Sequence, residues 1–483
     1  MNKPIRTLAT FSLILFLALM LNATYLQFWA AGDLDADARN RRVKEESFAS
    51  ERGAILVNRT PVAESEPSDD QYQYQRVYPE PLKYAPLTGY FSFGDSTGLE
   101  SSQNAVLSGD DPRLFVRRLV DLLSNEQKRG GNVQLTIDPA AQQAAYDGLK
   151  AISPDVEGAV VALEPSTGKI LAMVSLPTFD PNDLSSHDFG ANDRNYQKLL
   201  KDDGDPLVNR AVQTRLFPGS TFKVVTATAG LESGKYEKSA DAMVPGGDSY
   251  TLPLSTKQVT NEGRDCGSGE ITLRQAMENS CNTTFAAMAA DVGSEAMLEQ
   301  SEKFGFNSTY LEDLPGQVQS VYPSDPDESQ TAQTGFGQFE VQATPLQMAM
   351  VAAAIAADGD VMRPYVVEEV QSAEYDAQTT DPTKISTAMD PDTAEVLTEV
   401  MVSTVDEGTA TAAQIPDVAV AGKTGTAQRG TDDPPYAWFI SFAPADDPQV
   451  AVAVMIEEAP GRDIAGGALG GPIAKAITEA VLK

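Results

Sequence analysis

The chain has 483 residues, and 36 lysine and arginine residues against 69 aspartate and glutamate residues give it a formal net charge of −33. This length predicts two or more domains. The acidic charge argues against nucleic-acid binding, because phosphate contacts need a basic surface. His187 is the only histidine, and Cys266 and Cys281 are the only cysteines. That composition leaves little room for a Ser/His/Asp relay or a zinc site.

An uncharged and mainly apolar stretch covers residues 7–30, and two basic residues precede it. Its length fits one membrane-spanning helix, with Tyr25, Phe28 and Trp29 as an aromatic belt at its far end. The basic residues predict that the short N-terminal side is cytoplasmic and the rest of the chain lies outside. A cleaved signal peptide is the alternative. The small residues that a cleavage site needs, Ala30 and Ala31, come late and aromatic residues precede them. We therefore favour an uncleaved, single-pass anchor in the plasma membrane.

Three segments are predicted along the chain. Residues 1–31 form a cytoplasmic stub and transmembrane anchor, residues 32–131 an N-terminal module, and residues 132–483 the main domain. The module is polar and uneven, with a loop expected over residues 64–75, and Gly130-Gly131 marks its end. We interpret it as an extended pedestal that holds the main domain away from the membrane. A plain spacer is the alternative.

The main domain is predicted to begin and end with strands. Residues 158–163 and 169–175 flank a turn, as do residues 437–442 and 450–456, and each pair is typical of a β-hairpin. Residues 472–482 then have the spacing of a sheet-covering helix. Mostly helical sequence lies between the two hairpins. The predicted fold class is therefore α+β, an antiparallel sheet built from both ends of the domain with a helical subdomain inserted.

A Ser-x-x-Lys pattern joins Ser220 to Lys223. Pro218-Gly219 break the chain and a breaker-free stretch follows, so Ser220 is predicted at a helix N-terminus with Lys223 one turn along. A lysine there can take the proton that makes serine a nucleophile, and the helix favours the neutral amine. The same pattern from Ser166 to Lys169 falls in a predicted turn, where these residue types are ordinary turn formers.

A second candidate is Ser280-Cys-Asn282, between two helical stretches, where short polar side chains can point into a cleft. Capping is the alternative for such residues. Outside the cytoplasm, Cys281 could form a disulfide with Cys266 that closes a loop of 15 residues, a bond that stabilises the fold by about 3 kcal/mol. Two unpaired buried thiols are the alternative.

The third candidate is Lys423-Thr-Gly-Thr426, which is predicted to lie on a strand that precedes the strand of Phe439. Lys423, Thr424 and Thr426 would hold a carboxylate, and Gly425 would let a ligand approach the backbone closely. A backbone N–H of this strand would join that of Ser220 in stabilising an oxyanion. An edge strand with ordinary polar residues is the alternative.

The order and separation of the three patterns resemble the Ser-x-x-Lys, Ser-x-Asn and Lys-Thr-Gly elements of the penicillin-recognising serine enzymes. The single anchor, Arg52-Gly-Ala-Ile55, Gly335-Phe-Gly-Gln338 and Thr344-Pro-Leu-Gln347 are similar to a class B penicillin-binding protein, of the actinobacterial penicillin-binding protein A type. The chain departs from that family's pattern at Asn58-Arg59-Thr60.

This resemblance implies a penicillin-binding/β-lactamase-like transpeptidase domain after an anchor and dimerisation module. It implies acyl transfer on peptidoglycan stem peptides that end in D-Ala-D-Ala, with no metal and no cofactor. Neutral Lys223 would deprotonate the nucleophile Ser220, Ser280 would relay a proton to the leaving amine, and Asn282 would bind the peptide backbone. Lys423, Thr424 and Thr426 would hold the donor carboxylate. β-Lactam antibiotics would acylate Ser220.

The resemblance also implies a partner, a membrane glycosyltransferase of the shape, elongation, division and sporulation family, because class B proteins do not polymerise glycan. Two alternatives stay open at this point. A D,D-carboxypeptidase or β-lactamase would pass the acyl group to water, although the long segment before the main domain argues against a plain β-lactamase. A non-catalytic scaffold or β-lactam sensor would only bind partners, but a scaffold would be free to lose motifs that are all present here.

Overall fold

The computed structural model describes residues 3–30, 48–93, 95–111, 129–371, 377–430 and 433–483. Helix α1 (Lys3–Thr24) continues as a π-helical turn to Trp29, and its side chains are exposed along the whole length. Within the 27 residues from Lys3 to Trp29, an 18-residue window has a mean hydropathy of 1.9, so the helix is long and apolar enough to cross a bilayer. The segment fits a single-pass membrane anchor.

The next elements form the N-terminal module, and we number them in chain order. They are β1 (Ile55–Val57), β2 (Thr60–Pro67), β3 (Tyr74–Val77), α2 (Pro81–Thr88), α3 (Gly98–Ser102), α4 (Asn104–Leu107) and β4 (Asn132–Leu135). The loop predicted over residues 64–75 is wrong at both ends, because β2 and β3 pair as an antiparallel hairpin through those residues. The run of polar residues in β2 concealed this strand, since only two of its eight residues are buried.

The sheet of this module has the strand order β13-β12-β4-β1-β2-β3. Strand β4 pairs in parallel with β1 and antiparallel with β12 (Val367–Gln371), which in turn pairs with β13 (Ala377–Thr379). The sheet thus takes strands from both sides of the predicted boundary at residue 131. Main-chain hydrogen bonds across these strands attach the module firmly to the rest of the chain.

The structure explains why arginine and glycine stand at positions 52 and 53. Arg52 Nε donates to Glu100 Oε2 at 2.7 Å, and Arg76 Nε donates to Glu100 Oε1 at 2.6 Å, with all three side chains buried. A Cβ on Gly53 would lie 1.9 Å from Gly131 O. The glycines let two backbones touch, while the buried ion triad fixes the chain beside them.

The elements that follow up to residue 303 are, in chain order, α5 (Pro139–Lys150), β5 (Glu157–Leu163), β6 (Ile170–Leu176), α6 (Phe189–Leu199), α7 (Arg210–Gln213), α8 (Lys223–Glu232), β7 (Met243–Pro245), β8 (Ser249–Thr251), β9 (Gln258–Thr260), β10 (Glu270–Thr272), α9 (Leu273–Glu278), α10 (Asn282–Val292) and α11 (Ser294–Lys303). The others are α12 (Glu328–Thr334), α13 (Pro345–Ala356), β11 (Asp360–Met362), β14 (Lys384–Thr387), α14 (Pro391–Asp406), β15 (Ala421–Ala427), β16 (Tyr436–Ala443), β17 (Val450–Glu458) and α15 (Gly466–Val481).

The central sheet is antiparallel, with the order β15-β16-β17-β5-β6. Both predicted hairpins are confirmed, and they meet where β17 pairs with β5. Helices α5 and α15 cover one face, and α13 covers the other. Along β5, Val160 and Ala162 pack in the core with α5 and α15, whereas Val161 and Leu163 pack in the core with α13. Successive side chains point to opposite faces, so burial on both sides explains why these strands are apolar throughout.

The C-terminal helix α15 begins at Gly466, six positions before the predicted start at Pro472. Its first turns are rich in glycine, a residue of low helix propensity. A Cβ on Gly466 would lie 2.1 Å from Trp438 O, and one on Gly470 would lie 2.5 Å from Phe439 Cβ. Close packing on β16 therefore requires glycine there and overrides its low helix propensity.

Candidate active site

Ser220 lies in a 3₁₀ turn, Gly219–Phe222, that leads directly into α8. Gly219 has a φ of +53°, and its N–H donates to Gly337 O at 3.1 Å. Ser220 is 7% exposed and lines a cavity of ≈ 250 Å³. The turn predicted at Pro218-Gly219 thus presents the Ser220 hydroxyl to a cleft.

The turn around Ser220 is held by a second glycine. Gly337 has a φ of +72°, and a Cβ there would lie 2.2 Å from Gly219 O. The neighbouring Gly335 accepts a hydrogen bond from Thr226 Oγ1 at 2.8 Å. In the sequence, Gly335-Phe-Gly-Gln338 stood out only through a family resemblance. The structure adds the physical reason, which is contact between this loop and the turn that holds Ser220.

Lys223 is fully buried, and its Nζ donates to Ser280 O at 2.7 Å, to Asn282 Oδ1 at 2.7 Å and to Ser280 Oγ at 3.2 Å. Burial, then the positive charges of Lys423 and Arg264, hold the pKa of Lys223 well below its ordinary value. Among the described residues, its amine makes no hydrogen bond to Ser220 Oγ. Catalytic hydrogen bonds often tighten only when substrate is bound.

Ser280 connects two lysines. Its Oγ accepts a hydrogen bond from Lys423 Nζ at 2.9 Å as well as the longer one from Lys223. Its φ is +54°, a left-handed conformation that is costly for a residue with a Cβ. Because Ser280 O and Oγ both reach Lys223, the conformation places one residue's two oxygens on one buried amine.

Asn282 is the first residue of α10, and its side chain connects Lys223 to the end of β9, since its Oδ1 accepts from Lys223 Nζ and its Nδ2 donates to Thr260 O at 3.1 Å. A disulfide joins Cys281 to Cys266, with Cα atoms 5.9 Å apart. Both cysteines are buried. The Ser280-Cys-Asn282 segment is therefore tied covalently to the loop before β10.

Strand β15 is an edge strand of the central sheet and carries Lys423-Thr-Gly-Thr426. Thr424 and Thr426 line the cavity. Lys423 is fully buried and donates to Ser280 Oγ and, at 3.0 Å, to Thr424 O. Burial and the Arg264 charge lower the pKa of Lys423 to about 7. The lysine thus lies buried between the strand and Ser280, while Thr424 and Thr426 line the cavity.

Gly425 was expected to let a ligand approach the backbone. The approach of a ligand stays a prediction. The structure shows that the protein itself comes close at this point, because a Cβ on Gly425 would lie 2.9 Å from Pro218 O and 3.0 Å from Thr221 Cγ2. The glycine sets the distance between β15 and the turn that carries Ser220.

Sequence reasoning missed much of the cavity wall. Besides the motif residues, the wall contains Glu262, Arg264, Gln333, Phe336, Gln338, Phe339 and Gln428. Gln333 lies near the end of α12 and the others lie in loops. Their local sequence predicts nothing about a shared cleft, although the Gly335–Gln338 resemblance pointed to one of these segments.

A serine in a cleft beside a buried lysine of low pKa, on this sheet with its helical subdomain, is the arrangement of a serine acyltransferase. A model of the penicillin binding protein transpeptidase domain matches residues 158–479, and one of the penicillin binding protein A dimerisation domain matches residues 52–133. The chain belongs to the penicillin-binding protein transpeptidases, the serine D,D-transpeptidases of peptidoglycan synthesis.

Individual relatives agree. The chain is 42% identical to peptidoglycan D,D-transpeptidase PbpA of Mycolicibacterium smegmatis over 100% of this chain and 99% of the relative. It is 41% identical to the Mycobacterium tuberculosis protein of that name over the same shares. It is similar to the solved ceftriaxone acyl-enzyme complex of penicillin-binding protein A from M. tuberculosis, with a TM-score of 0.86, 40% identity, and coverage of 91% of this chain and 100% of that one.

Proposed function

We propose that Ser220 is the nucleophile of the transpeptidase and Lys223 its general base. Neutral Lys223 takes the Ser220 proton while Oγ bonds to the penultimate D-Ala carbonyl carbon. The amide bond to the terminal D-Ala then breaks, and the leaving amine takes up a proton, which leaves an acyl-enzyme. An amine from a second stem peptide attacks the ester, forms the cross-link and frees Ser220. The buried, low-pKa Lys223 is the observation that carries this assignment.

Ser280 is proposed as the proton relay. A hydroxyl has one hydrogen and two lone pairs, and Ser280 Oγ lies within hydrogen-bond distance of both buried amines. It can therefore pass its own proton to the leaving amine and recover one from Lys223. Lys423, with its pKa of about 7, supports the serine from the other side.

The remaining motif residues are proposed to bind the donor. Thr424 and Thr426 hold the terminal carboxylate, and Asn282 binds the peptide backbone. A backbone N–H of β15 and that of Ser220 hold the oxyanion. Because Lys423 is fully buried and its Nζ donates to Ser280 Oγ, we assign it an electrostatic contribution rather than direct contact with the carboxylate.

Transfer to an amine is favoured over transfer to water. The supporting observation is full-length similarity to proteins named D,D-transpeptidases, at 42% and 41% identity. A non-catalytic scaffold is disfavoured because the three motifs are not only present but joined to one another by Lys223 and Lys423.

We further propose that the helix Lys3–Trp29 anchors the chain in the plasma membrane with the catalytic domain outside, where a disulfide persists. There it would act with a membrane glycosyltransferase of the shape, elongation, division and sporulation family, which supplies the glycan strands.

Intact-mass measurement of the full chain in detergent, after exposure to penicillin, tests the assignment of the nucleophile. One adduct per chain is expected. Ser220→Ala should give none, whereas Ser166→Ala, which alters the other Ser-x-x-Lys pattern, should label like the wild type. An adduct that survives in Ser220→Ala would show that another residue is acylated.

A further inference from the structure

Thr424 makes a hydrogen bond that none of the three sequence motifs accounts for. Its Oγ1 lies 2.8 Å from Oγ1 of Thr409, 15 residues earlier in the chain. Thr424 is only 9% exposed. Thr426, by contrast, is exposed, and its hydroxyl has no hydrogen-bond partner among the described residues. Of the two threonines of β15 that line the cavity, Thr424 is therefore the one whose hydroxyl the protein itself orients.

Thr409 lies in the turn between α14 and β15, and its backbone is held on two sides. Its N–H donates to Glu278 O at 3.3 Å, at the end of α9 and just before Ser280. A Cβ on Gly467, in the first turn of α15, would lie 2.6 Å from Thr409 O and 3.1 Å from Thr424 Cγ2. The Thr409 hydroxyl is thus a fixed neighbour of Thr424, although Thr409 itself is exposed.

The direction of this hydrogen bond decides what Thr424 can do, because a hydroxyl group has only one hydrogen. If Thr424 donates to Thr409, it has no hydrogen left for a carboxylate. If Thr409 donates instead, Thr424 keeps its hydrogen for the ligand. A chain that runs from Thr409 through Thr424 to a carboxylate also strengthens both bonds, since each polarises the next. An anionic ligand therefore favours the second direction.

We propose that Thr409 is a positioning residue for the carboxylate of the donor. It donates to Thr424 Oγ1 and so holds the Thr424 hydroxyl in the orientation that binds the carboxylate. This rests on the proposed function, in which Thr424 and Thr426 hold that carboxylate. Thr409 is not among the described residues that line the cavity, so it acts through Thr424. A hydroxyl held in this way loses less conformational freedom when the ligand binds.

Benzylpenicillin and its methyl ester separate this role from a structural one, because they differ only at the carboxylate. The second-order rate constant for acylation by each is measured with the full chain in detergent. Thr409→Val removes the hydroxyl from a side chain of similar shape. It should slow acylation by benzylpenicillin about tenfold, the range for a hydrogen bond to a charged group, and leave acylation by the ester unchanged.

Two further variants serve as controls. Thr409→Ser keeps the hydroxyl and should retain most of the wild-type rate with benzylpenicillin. Thr411→Val makes the same change at an exposed threonine two residues further on and should behave like the wild type. Equal slowing of Thr409→Val with benzylpenicillin and with the ester would mean that Thr409 only maintains the fold. A wild-type rate in Thr409→Val would mean that its hydroxyl contributes nothing. Either result would overturn the inference.

A double-mutant cycle tests whether Thr409 acts through Thr424. With benzylpenicillin, Thr424→Val should lose at least as much as Thr409→Val, and the double variant should be no slower than Thr424→Val alone. A further loss of about tenfold in the double variant would show that Thr409 contacts the ligand itself, and positioning would be the wrong role. The cycle does not use the ester, so it decides the question by itself.

The wild type and Thr424→Val separate this inference from the proposed function. If benzylpenicillin forms no adduct on Ser220 of the wild type, the assignment of the nucleophile fails. If Thr424→Val is acylated at the wild-type rate, the assignment of Thr424 to the carboxylate fails, and the role of Thr409 fails with it. If both behave as proposed and Thr409→Val does not, only the inference about Thr409 is wrong.

Discussion

Lys423 Nζ donates a hydrogen bond of 2.9 Å to Ser280 Oγ, across 143 residues of sequence. This bond joins the third motif to the second. Ser280 also contacts Lys223, one turn after the nucleophile, so a buried chain of polar groups connects all three motifs. Two lysines with lowered pKa values make the site sensitive to pH.

Acylation by penicillin should slow as the pH falls. The pKa of Lys223 is lowered by burial first, so its amine is neutral above that pKa and becomes protonated below it, where it cannot accept the Ser220 proton. Lys223→Arg, which stays protonated, should lose about 10²- to 10⁴-fold in acylation rate. Stopped-flow measurement of the second-order rate constant against pH checks this. Lys169→Arg, at the other Ser-x-x-Lys pattern, should follow the wild-type profile; an equal loss there would contradict the prediction.

Stability should rise with pH because of Lys423. Its pKa is about 7 in the folded protein against 10.5 ordinarily, so between these values the unfolded chain binds more protons. The free energy of unfolding should then increase by about 1.4 kcal/mol per pH unit, and it should not change through this residue below about pH 7 or above about 10.5. Urea unfolding of Lys423→Met beside the wild type, at about pH 7.5 and about pH 9, isolates the effect, because both values lie within this window. Parallel pH dependences of the two proteins would refute it.

Gly337→Ala should impair acylation by displacing the turn that carries Ser220. The new Cβ would lie 2.2 Å from Gly219 O, and the φ of +72° adds strain. Gly234→Ala is the matched control, because its φ is +70° with nothing within 4 Å of the new Cβ. Both variants should lose about 1–2 kcal/mol from the backbone conformation, but only Gly337→Ala should lower the acylation rate, about tenfold or more for a misplaced nucleophile. Similar rates for both would show that the contact is unimportant.

Glu100→Gln should destabilise the N-terminal module. Glu100 is fully buried between Arg52 and Arg76, so its neutralisation leaves two buried cations without a counter-charge. Such changes cost about 3–5 kcal/mol. Glu80→Gln, which removes a half-exposed carboxylate beside Lys83, should cost less than about 1 kcal/mol. Urea unfolding followed by tryptophan and tyrosine fluorescence measures both, and equal losses would contradict the buried-triad account.

Local sequence was enough for much of the fold. The two terminal hairpins and the strand that carries Lys423 were predicted from apolar runs and turn residues. The same reasoning failed for β2, whose exposed polar residues conceal a strand, and for the start of α15, whose glycines are required by packing on β16. In both cases the deciding contact comes from a distant segment.

The sequence by itself determined the residue types of the site, their order and the apolar N-terminal segment, because these depend on local pattern and on chemistry that each side chain carries alone. Only the tertiary structure decided which oxygens Lys223 meets, that Lys423 is buried against Ser280, and that Arg264 lines the cavity. Burial and distance depend on segments far apart in the chain, so no local pattern records them. The same burial lowers the pKa of both lysines and turns ordinary residues into a reactive site.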